Sequence, residues 1–274
     1  MKDLHIHTKY SDGEYNEHQI LEKIKEANIS EFSICDHDTI EGCQKVYNIL
    51  KETNTNFIFH TGIELSCRVN DFLNGINIHL LVRDFDLENP TIHSIIEKIA
   101  DFRLQKLQIM IDRIKERFNF VIPKKDIQEA LKQTNSIGKP HLYTILNKYK
   151  QITRETYYTN MKHLDTNHLK LDATEILTLM KDCKGYVTLA HPIEIMDDYN
   201  LTYNDIDDLV KHLKEKGLDA LETKHSKHTE ENYYEFSKIA QKYNLIETEG
   251  SDYHGPSVKP NVKLGICKKQ QIII

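Results

Sequence analysis

Short apolar runs recur along the chain and alternate with segments of helical periodicity. The apolar runs predict seven buried strands, over residues 4–6, 32–35, 57–59, 76–82, 186–190, 220–222 and 245–248. Apolar residues spaced three and four apart predict helices between them, over residues 17–28, 40–52, 172–183, 204–216 and 229–243. A strand followed by a helix, repeated about seven times, is typical of an α/β fold with a largely parallel sheet.

The middle of the chain lacks this alternation. Its periodicity predicts helices over residues 90–118, 123–133 and 140–150, followed by an irregular polar stretch over 151–171. We therefore expect residues 88–172 to form a helical insertion that covers the active-site face of a domain built from residues 1–87 and 173–274. The isoleucine-rich tail, residues 270–274, is compatible with a final edge strand.

Composition and charge limit the class of protein. The 274 residues are 39% hydrophobic and 28% charged, which suits a globular protein of one large domain or one domain with an insertion. The formal net charge of −6 provides no basic field for duplex DNA, so an anionic substrate would be attracted locally, most simply by bound cations. No apolar run reaches the length of a membrane span, and the first strand begins too early to leave room for a signal peptide. Five Cys without a C-x-x-C pair suggest no disulfide framework, so the expected location is the cytoplasm.

Histidine and carboxylate residues cluster where the predicted strands end. The clusters are His5-x-His7, Ser11-Asp12-Gly13, Asp36-His37-Asp38-Thr39, Gly62-Ile63-Glu64, His79, His191-Pro192 and Ser251-Asp252-Tyr253-His254. Imidazoles and carboxylates are ligands of divalent metals. Residues two apart in an extended strand face the same way, so His5 and His7 can reach one ion. The clusters therefore predict several divalent ions at one end of a barrel or sheet, and metal-assisted hydrolysis.

Some residues of these clusters have simpler interpretations. His79 lies inside an apolar run, where a hydrogen-bonded core histidine is the common alternative. Asp38 and Thr39 are interpreted as the N-cap of the next helix. Asp36 is a candidate for orienting a ligand imidazole, and Cys35 is interpreted as a small core residue.

Taken together, these strings resemble the PHP (polymerase and histidinol phosphatase) family of metal-dependent phosphoesterases in their residues, order and spacing. The resemblance spans both ends of the chain. It implies a distorted (β/α)7 barrel with two or three divalent ions, with manganese expected first and zinc, iron or magnesium as alternatives. The implied ligand sets are His5, His7, Glu64 and Asp252 for one ion, Glu64, His79 and His191 for a second, and Asp12, His37 and His254 for a third.

Within this family, the chain is most similar to stand-alone phosphoesterases with a helical insertion, which include 3′,5′-nucleoside bisphosphate phosphatases and 5′–3′ exonucleases acting on short RNA. Where those proteins carry Arg-Pro-His, this chain has Lys139-Pro140-His141, and lysine lacks the bidentate fork of arginine. Ser226 and His228 match small polar and histidine residues near the phosphate in those relatives. The resemblance thus implies substrate contacts by Lys139, His141, Ser226 and His228. The alternatives are a solvated lysine at a helix start for Lys139, and ordinary loop charges around Ser226 and His228.

The implied reaction is hydrolysis of phosphate monoesters or short phosphodiesters of nucleotides by a metal-activated hydroxide. Glu64 and Asp252 would position that hydroxide, and His191 or His254 could protonate the leaving oxygen. The expected partner is a nucleotide or a short oligonucleotide. A small-metabolite phosphatase, such as a histidinol phosphate phosphatase, would differ only in its pocket residues. A non-catalytic metal-binding module is the third interpretation, and the intact set of nine ligands speaks against it.

Overall fold

The computed structural model describes residues 1–53, 55–132, 137–162, 164, 166–181 and 183–265. The chain forms two compact units, one of Met1–His93 with Leu171–Ile274 and one of Ser94–Lys170. The edge strand predicted for residues 270–274 lies outside the described residues.

Two sheets form the centre of the first unit. Their strands are β1 Lys2–Ile6, β2 Glu31–Ile34, β3 Ile58–His60, β4 Gly62–Val69, β5 Ile76–Arg83, β6 Leu171–Asp172, β7 Tyr186–Leu189, β8 Ala220–His225 and β9 Ile246–Gly250. One sheet has the order β1-β2-β3 and the other the order β6-β4-β5-β7-β8-β9. All pairings are parallel except those of β5, which runs antiparallel to both β4 and β7. The fold is therefore mixed α/β with parallel sheets, as the pattern predicts.

Helices connect most of these strands. They are α1 Glu17–Glu26, α2 Glu41–Glu52, α3 Pro90–Phe118, α4 Lys124–Leu131, α5 Lys139–Tyr149, α6 Arg154–Asn160, α7 Ala173–Met180, α8 Pro192–Tyr199, α9 Tyr203–Lys216 and α10 Glu230–Lys242. The local signals act as expected in α9, where Thr202 forms a capping box and Gly217, with φ of 122°, ends the helix. One apolar face of α9 is buried, and each such side chain contributes roughly 1.5–3 kcal/mol through burial.

The hydrophobic pattern does not predict β4, β6, α6 or α8. The error at β4 matters most, because Glu64 was expected at the end of a strand and instead lies inside one. Residues 70–75 join β4 to β5 as a hairpin, and so short a link requires antiparallel pairing. A connection to a parallel strand would need a crossover of a dozen or more residues.

The second unit is helical and has its own core. The core is built around Met110, Ile114, Leu142, Leu146, Tyr157 and Met161, all of which are buried. Among the described residues of the whole chain, no helix combines the length and the apolar character needed to cross a membrane.

Candidate metal centre

The segments that follow β1 and β9 run side by side and bring two of the sequence clusters together. The backbone N–H of His7 donates to the Tyr253 carbonyl at 2.9 Å, and the N–H of Asp252 donates to the His5 carbonyl at 2.8 Å. Gly250 permits this approach, because a Cβ there would lie 2.2 Å from the Cβ of His5. Asp252 also adopts a φ of 57°, in the left-handed region that costs free energy for a residue other than glycine. The backbone is thus strained where it aims this carboxylate.

Glu64 lies at the middle of the site and presents one oxygen to each of two histidine groups. Its Oε2 is 3.2 Å from His5 Nε2 and 3.0 Å from His7 Nε2. Its Oε1 is 3.0 Å from both His79 Nδ1 and His191 Nε2. The side chain is fully buried. A carboxylate in this position can bridge two cations that lie a few ångströms apart.

The remaining predicted ligands lie on the other side of His7. The Oδ1 atom of Asp12 is 3.1 Å from His254 Nε2 and 3.4 Å from His7 Nδ1. His37 links this group to Glu64, since its Nδ1 lies 3.2 Å from Glu64 Oε2 and its Nε2 lies 3.9 Å from Asp12 Oδ2. The side chain of Asp12 is 52% exposed, which makes it the most accessible of the carboxylates in the site. The structure therefore brings all nine predicted ligands together.

The donor atoms fit bound metal ions better than they fit one another. Glu64 Oε2 and Asp252 Oδ1 are buried and accept no hydrogen bond of good geometry from the described residues. Imidazole nitrogens nevertheless approach both oxygens closely. His7 Nε2 lies 3.0 Å from Glu64 Oε2 and 3.3 Å from Asp252 Oδ1. His5 Nε2 and His7 Nε2 also face each other at 3.1 Å. Close approach without hydrogen-bond geometry is expected where several donors converge on a cation. The buried clusters thus fit a multinuclear metal site.

Burial and charge shift the pKa values of these groups strongly. Burial by itself lowers the pKa of His5, but the charges of Glu64 and Glu222 outweigh it and raise that pKa well above its usual value. Burial likewise raises the pKa of Glu64, yet His37, His5 and the neighbouring imidazoles hold it well below its usual range. The site therefore favours ionised carboxylates, and in the absence of metal it favours protonation of His5, His7 and His191, whereas burial lowers the pKa of His37 to about 3. Metal ions would replace those protons.

Glu222 supports the site and escaped the sequence interpretation. This fully buried residue of β8 places Oε1 3.1 Å from His5 Nδ1 and accepts from the backbone N–H of His191 at 2.7 Å. A carboxylate behind a ligand imidazole fixes its orientation and raises its basicity. The only sequence signal was its position near the end of a predicted strand.

Two expectations about neighbouring aspartates are wrong. Asp36 does not orient an imidazole, because its carboxylate accepts from the backbone N–H and hydroxyl of Thr8 and from the Ser11 hydroxyl. Asp38 does not cap α2, since its carboxylate accepts from the Ser66 backbone N–H at 2.8 Å. The parallel bridge between His37 and Glu64 draws this segment towards β4 instead. The prediction that Cys35 is a core residue is confirmed.

A further group of ligand-type residues lies behind Asp252. His225, the last residue of β8, places Nε2 3.5 Å from Asp252 Oδ2, and Glu194 lies close by. Both carboxylates already have ammonium partners, with Lys259 Nζ against Asp252 Oδ2 and Lys227 Nζ 2.5 Å from Glu194 Oε1. Because these lysines neutralise the acids, we interpret the group as a supporting ion-pair network and not as a fourth metal site.

The predicted substrate residues occupy varied environments. His228 Nδ1–H donates to the Thr223 carbonyl at 2.8 Å, which leaves Nε2 as the acceptor of the neutral ring. Burial lowers the pKa of His228 to about 4, so the ring is neutral at pH 7. Ser226 is exposed in the turn after β8. In the second unit, Lys139 is the first residue of α5, and His141 Nδ1 accepts from the Gly138 N–H at 3.1 Å. Substrate contact by these four residues stays a prediction.

Comparison with known proteins places the chain in a family. A model of the PHP domain matches residues 3–226. Among curated proteins, the chain is 26% identical to a phosphoribosyl 1,2-cyclic phosphate 1,2-diphosphodiesterase of Eggerthella lenta, over 93% of this chain and 94% of that one. It is 23% identical to a 5′-3′ exoribonuclease of Haemophilus influenzae, over 93% and 90% of the two chains.

Solved structures show the same fold. A candidate metal-dependent phosphoesterase from Bifidobacterium adolescentis aligns with a TM-score of 0.70 at 23% identity, over 96% of this chain and 90% of that one. An amidohydrolase from Chromobacterium violaceum aligns with a TM-score of 0.72 at 18% identity, over 96% and 89%. The family model covers most of the chain and includes ten of the thirteen positions discussed above as ligands or substrate contacts. Asp252 and His254 lie beyond the matched residues, and the geometry brings them to the same centre. The chain therefore belongs to the PHP domain family and is a metal-dependent phosphoesterase.

Proposed function

We propose that this protein hydrolyses phosphate esters of ribonucleotides, either the phosphate monoester of a 3′,5′-nucleoside bisphosphate or the phosphodiester of a short oligoribonucleotide. The observation that carries the proposal is the buried Glu64 carboxylate with histidine groups on both of its oxygens. Two cations held on such a carboxylate suit an in-line displacement at phosphorus. The exoribonuclease name of the relative from Haemophilus influenzae supports a ribonucleotide substrate.

We assign the metal ligands as His5, His7, Asp12, His37, Glu64, His79, His191, Asp252 and His254. Bound divalent ions would supply an activated water and neutralise charge on the phosphate oxygens. Glu64 and Asp252 would hold the ions in place, while the backbone strain at Asp252 keeps its Oδ1 directed at His7. The network of Glu222 and Lys259 would prevent these side chains from turning away.

The leaving oxygen requires a proton, and two histidines are candidates for supplying it. His191 and His254 both lie in the centre, where His254 Nδ1 is 2.9 Å from the Asp252 carbonyl. Ligation would occupy Nε2 of either ring. His254 then has its Nδ1–H committed to that carbonyl, whereas His191 Nδ1 is buried, has no hydrogen-bond partner among the described residues and lies 3.6 Å from Glu194 Oε2.

The types of donor atom in the site limit the identity of the metal. Imidazole and carboxylate donors without thiolate suit manganese, zinc or iron, and we propose manganese as the first ion to test.

We further propose that the two sheets close as the distorted (β/α)7 barrel implied by the family resemblance. The isolated parallel bridges Ile6–Tyr253 and His37–Glu64 support this closure.

A second candidate substrate is a cyclic phosphodiester of a ribose. The relative from Eggerthella lenta, which matches nearly the whole chain, is named for that reaction. Hydrolysis of an oligoribonucleotide and hydrolysis of a cyclic phosphate both cleave a phosphodiester attached to a ribose, so one metal centre could perform either. The discrimination between them would depend on the residues around the ribose, including His228.

The test is phosphate or nucleotide release by manganese-loaded protein from a panel of substrates. The panel contains adenosine 3′,5′-bisphosphate, a 5′-phosphorylated diribonucleotide, phosphoribosyl 1,2-cyclic phosphate, histidinol phosphate and AMP. His5→Ala and Asp252→Ala should abolish turnover, whereas His18→Ala, at an exposed histidine of α1, should not.

The panel separates the candidates. Turnover of the bisphosphate or the dinucleotide, lost in the two ligand variants, would support the proposal. Turnover confined to the cyclic phosphate would transfer the assignment to the second candidate, and turnover confined to histidinol phosphate would make the protein a small-metabolite phosphatase. Equal loss in His18→Ala would show that the variants act through folding and not through the metal centre.

A further inference from the structure

Charge is divided unevenly between the two units. The whole chain has a formal net charge of −6. The second unit, Ser94–Lys170, contains 15 Lys and Arg but only eight Asp and Glu, a net charge of +7. The rest of the chain therefore carries −13. A polyanion would be repelled by most of the first unit and attracted to the second.

Part of the positive charge of the second unit is exposed and not neutralised by ion pairs within the unit. Six of its lysines are exposed and have no ion pair within the described part of the chain: Lys106, Lys115, Lys124, Lys125, Lys132 and Lys162. Charges left without a local partner retain their attraction for an external anion, and that attraction falls with salt. The basic excess is therefore available for binding.

Part of this charge belongs to segments that also carry an aromatic pair. The lysine–tyrosine patch consists of Lys124, Lys125, Lys148, Lys150, Phe120 and Tyr149. The rings of Phe120 and Tyr149 lie 5.3 Å apart at 34°, and Tyr149 is 47% exposed. The Tyr149 hydroxyl donates to Asp126 Oδ2 at 2.7 Å, which fixes the ring, and Lys150 Nζ donates to the Phe118 carbonyl at 2.5 Å. Lys148 Nζ lies 3.9 Å from the same carboxylate, at Asp126 Oδ1, and the exposed Lys124 and Lys125 directly precede Asp126 in the chain. The patch thus combines a held, partly exposed ring with lysines in the segments that hold it.

We propose that the lysine–tyrosine patch binds single-stranded oligoribonucleotide, with the lysines on the phosphates and a base stacked on Tyr149. Proteins that bind single strands without sequence preference combine these two features. A lipid surface or an acidic peptide could use the lysines, but neither needs a fixed ring with an exposed face. This inference goes beyond the proposed hydrolysis, because it assigns a binding surface that shares no residue with the metal centre.

Binding is measured by the fluorescence anisotropy of a labelled ten-nucleotide oligouridylate, using metal-free protein in EDTA at several KCl concentrations. The patch variant is Lys124→Glu/Lys125→Glu/Lys148→Glu. The matched control is Lys25→Glu/Lys51→Glu/Lys184→Glu, which makes the same charge change at exposed lysines of the first unit. For the ring, Tyr149→Leu is compared with Tyr234→Leu, because Tyr234 is also exposed and also has a lysine nearby, with Lys238 Nζ 3.9 Å from its ring.

The patch variant should weaken binding at least about tenfold in 0.1 M KCl. It should also reduce the slope of log affinity against log salt by about 2, since each phosphate contact on a single strand contributes roughly 0.7. Tyr149→Leu should weaken binding at least about fivefold with little change in that slope. Both control variants should stay within about twofold of the wild type.

Several outcomes would overturn the proposal. These are no binding by the wild type, equal weakening by the patch and control variants, and an unchanged salt slope. Loss of binding to phosphatidylglycerol vesicles in the patch variant, with oligouridylate binding intact, would assign the patch to a lipid surface. Circular dichroism checks that the charge-reversed proteins are folded.

This test is separate from that of the proposed function. Because the binding assay contains no metal, it does not depend on turnover. Wild-type binding that is lost in the patch variant, together with no hydrolysis of any nucleotide in the panel, would remove the proposed function and leave this inference standing. Hydrolysis of nucleotides without binding by the patch would do the reverse.

Discussion

Glu222 allows the support of the metal centre to be tested with one substitution. Its Oε1 lies 3.1 Å from His5 Nδ1, and its Oε2 accepts from the backbone N–H of His191 at 2.7 Å. Glu222→Gln keeps the size of the side chain but leaves one acceptor oxygen for two donors, so at least one charge-assisted hydrogen bond is lost. Such bonds contribute roughly 1.5–3 kcal/mol. Loss of an equivalent partner in other metal sites weakens affinity by about 10–100-fold. We expect the Kd for Mn²⁺ to rise by about this factor.

The assay is isothermal titration calorimetry of Mn²⁺ into metal-free protein, with thermal unfolding recorded in parallel. Glu247→Gln is the matched control, since Glu247 is an exposed carboxylate on the adjacent strand β9 that accepts from Thr223 and Ser237. The control should bind Mn²⁺ with the affinity of the wild type. An affinity of Glu222→Gln within twofold of the wild type, in a folded protein, would refute the view that this carboxylate orients the ligand imidazoles.

Three further predictions concern packing, pH and metal binding. Gly250→Ala, whose Cβ would lie 2.2 Å from that of His5, should lower the free energy of unfolding in urea by at least about 1–3 kcal/mol, whereas Gly138→Ala, with its nearest neighbour at 3.5 Å, should cost less. The hydrogen bond to Asp84 raises the pKa of His60, so this histidine stabilises the fold below about pH 6.5 and the effect is lost as pH rises through the raised pKa. His60→Gln should therefore be destabilising at pH 6, by less than about 1 kcal/mol, and neutral at pH 9, and equal effects at both would contradict this. Mn²⁺ binding at pH 7 should release protons from His5 and His7, whose pKa values are raised by neighbouring carboxylates, measured as heats that vary with buffer ionisation enthalpy, and identical heats in all buffers would count against it.

The division of charge shows how an average over a chain can mislead. A net charge of −6 argues against a field for nucleic acid only if the charges are mixed evenly. The boundary at Ser94 and Lys170 separates a basic helical unit from an acidic one. The expectation that the protein does not bind duplex DNA was based on that average, and it stays a prediction. The position of the helical insertion over the active site stays a prediction.

The residues that converge on the candidate metal centre were predictable because each cluster is encoded locally. His5 and His7 lie two residues apart at the end of a strand. Because successive side chains of a strand point to opposite faces, both of these face the same way. Parallel strands then bring successive strand ends to the same edge of the structure. His79 shows the limit of this reasoning, because a histidine inside a strand has no local signal, and the family resemblance supplied its assignment.

The supporting residues could not be predicted in this way. Glu222 and His5 are 217 positions apart, and nothing near either residue indicates the pairing. The same is true of Lys259 and His225. Both contact Oδ2 of Asp252, the oxygen that faces away from His7, and so neither contact could be read from the sequence. Asp36 and Asp38 were misassigned because cap and turn signals are local, whereas their partners belong to other segments.

The sequence by itself determined most of the elements and the type of chemistry, since helix periodicity, capping residues and metal-ligand strings all act over a few residues. The tertiary structure decided which strand runs antiparallel, which oxygen of Glu64 meets which histidines, and where the positive charge is concentrated. Those properties depend on distances between segments far apart in the chain. They are set by the packing of the whole fold, which no local pattern records.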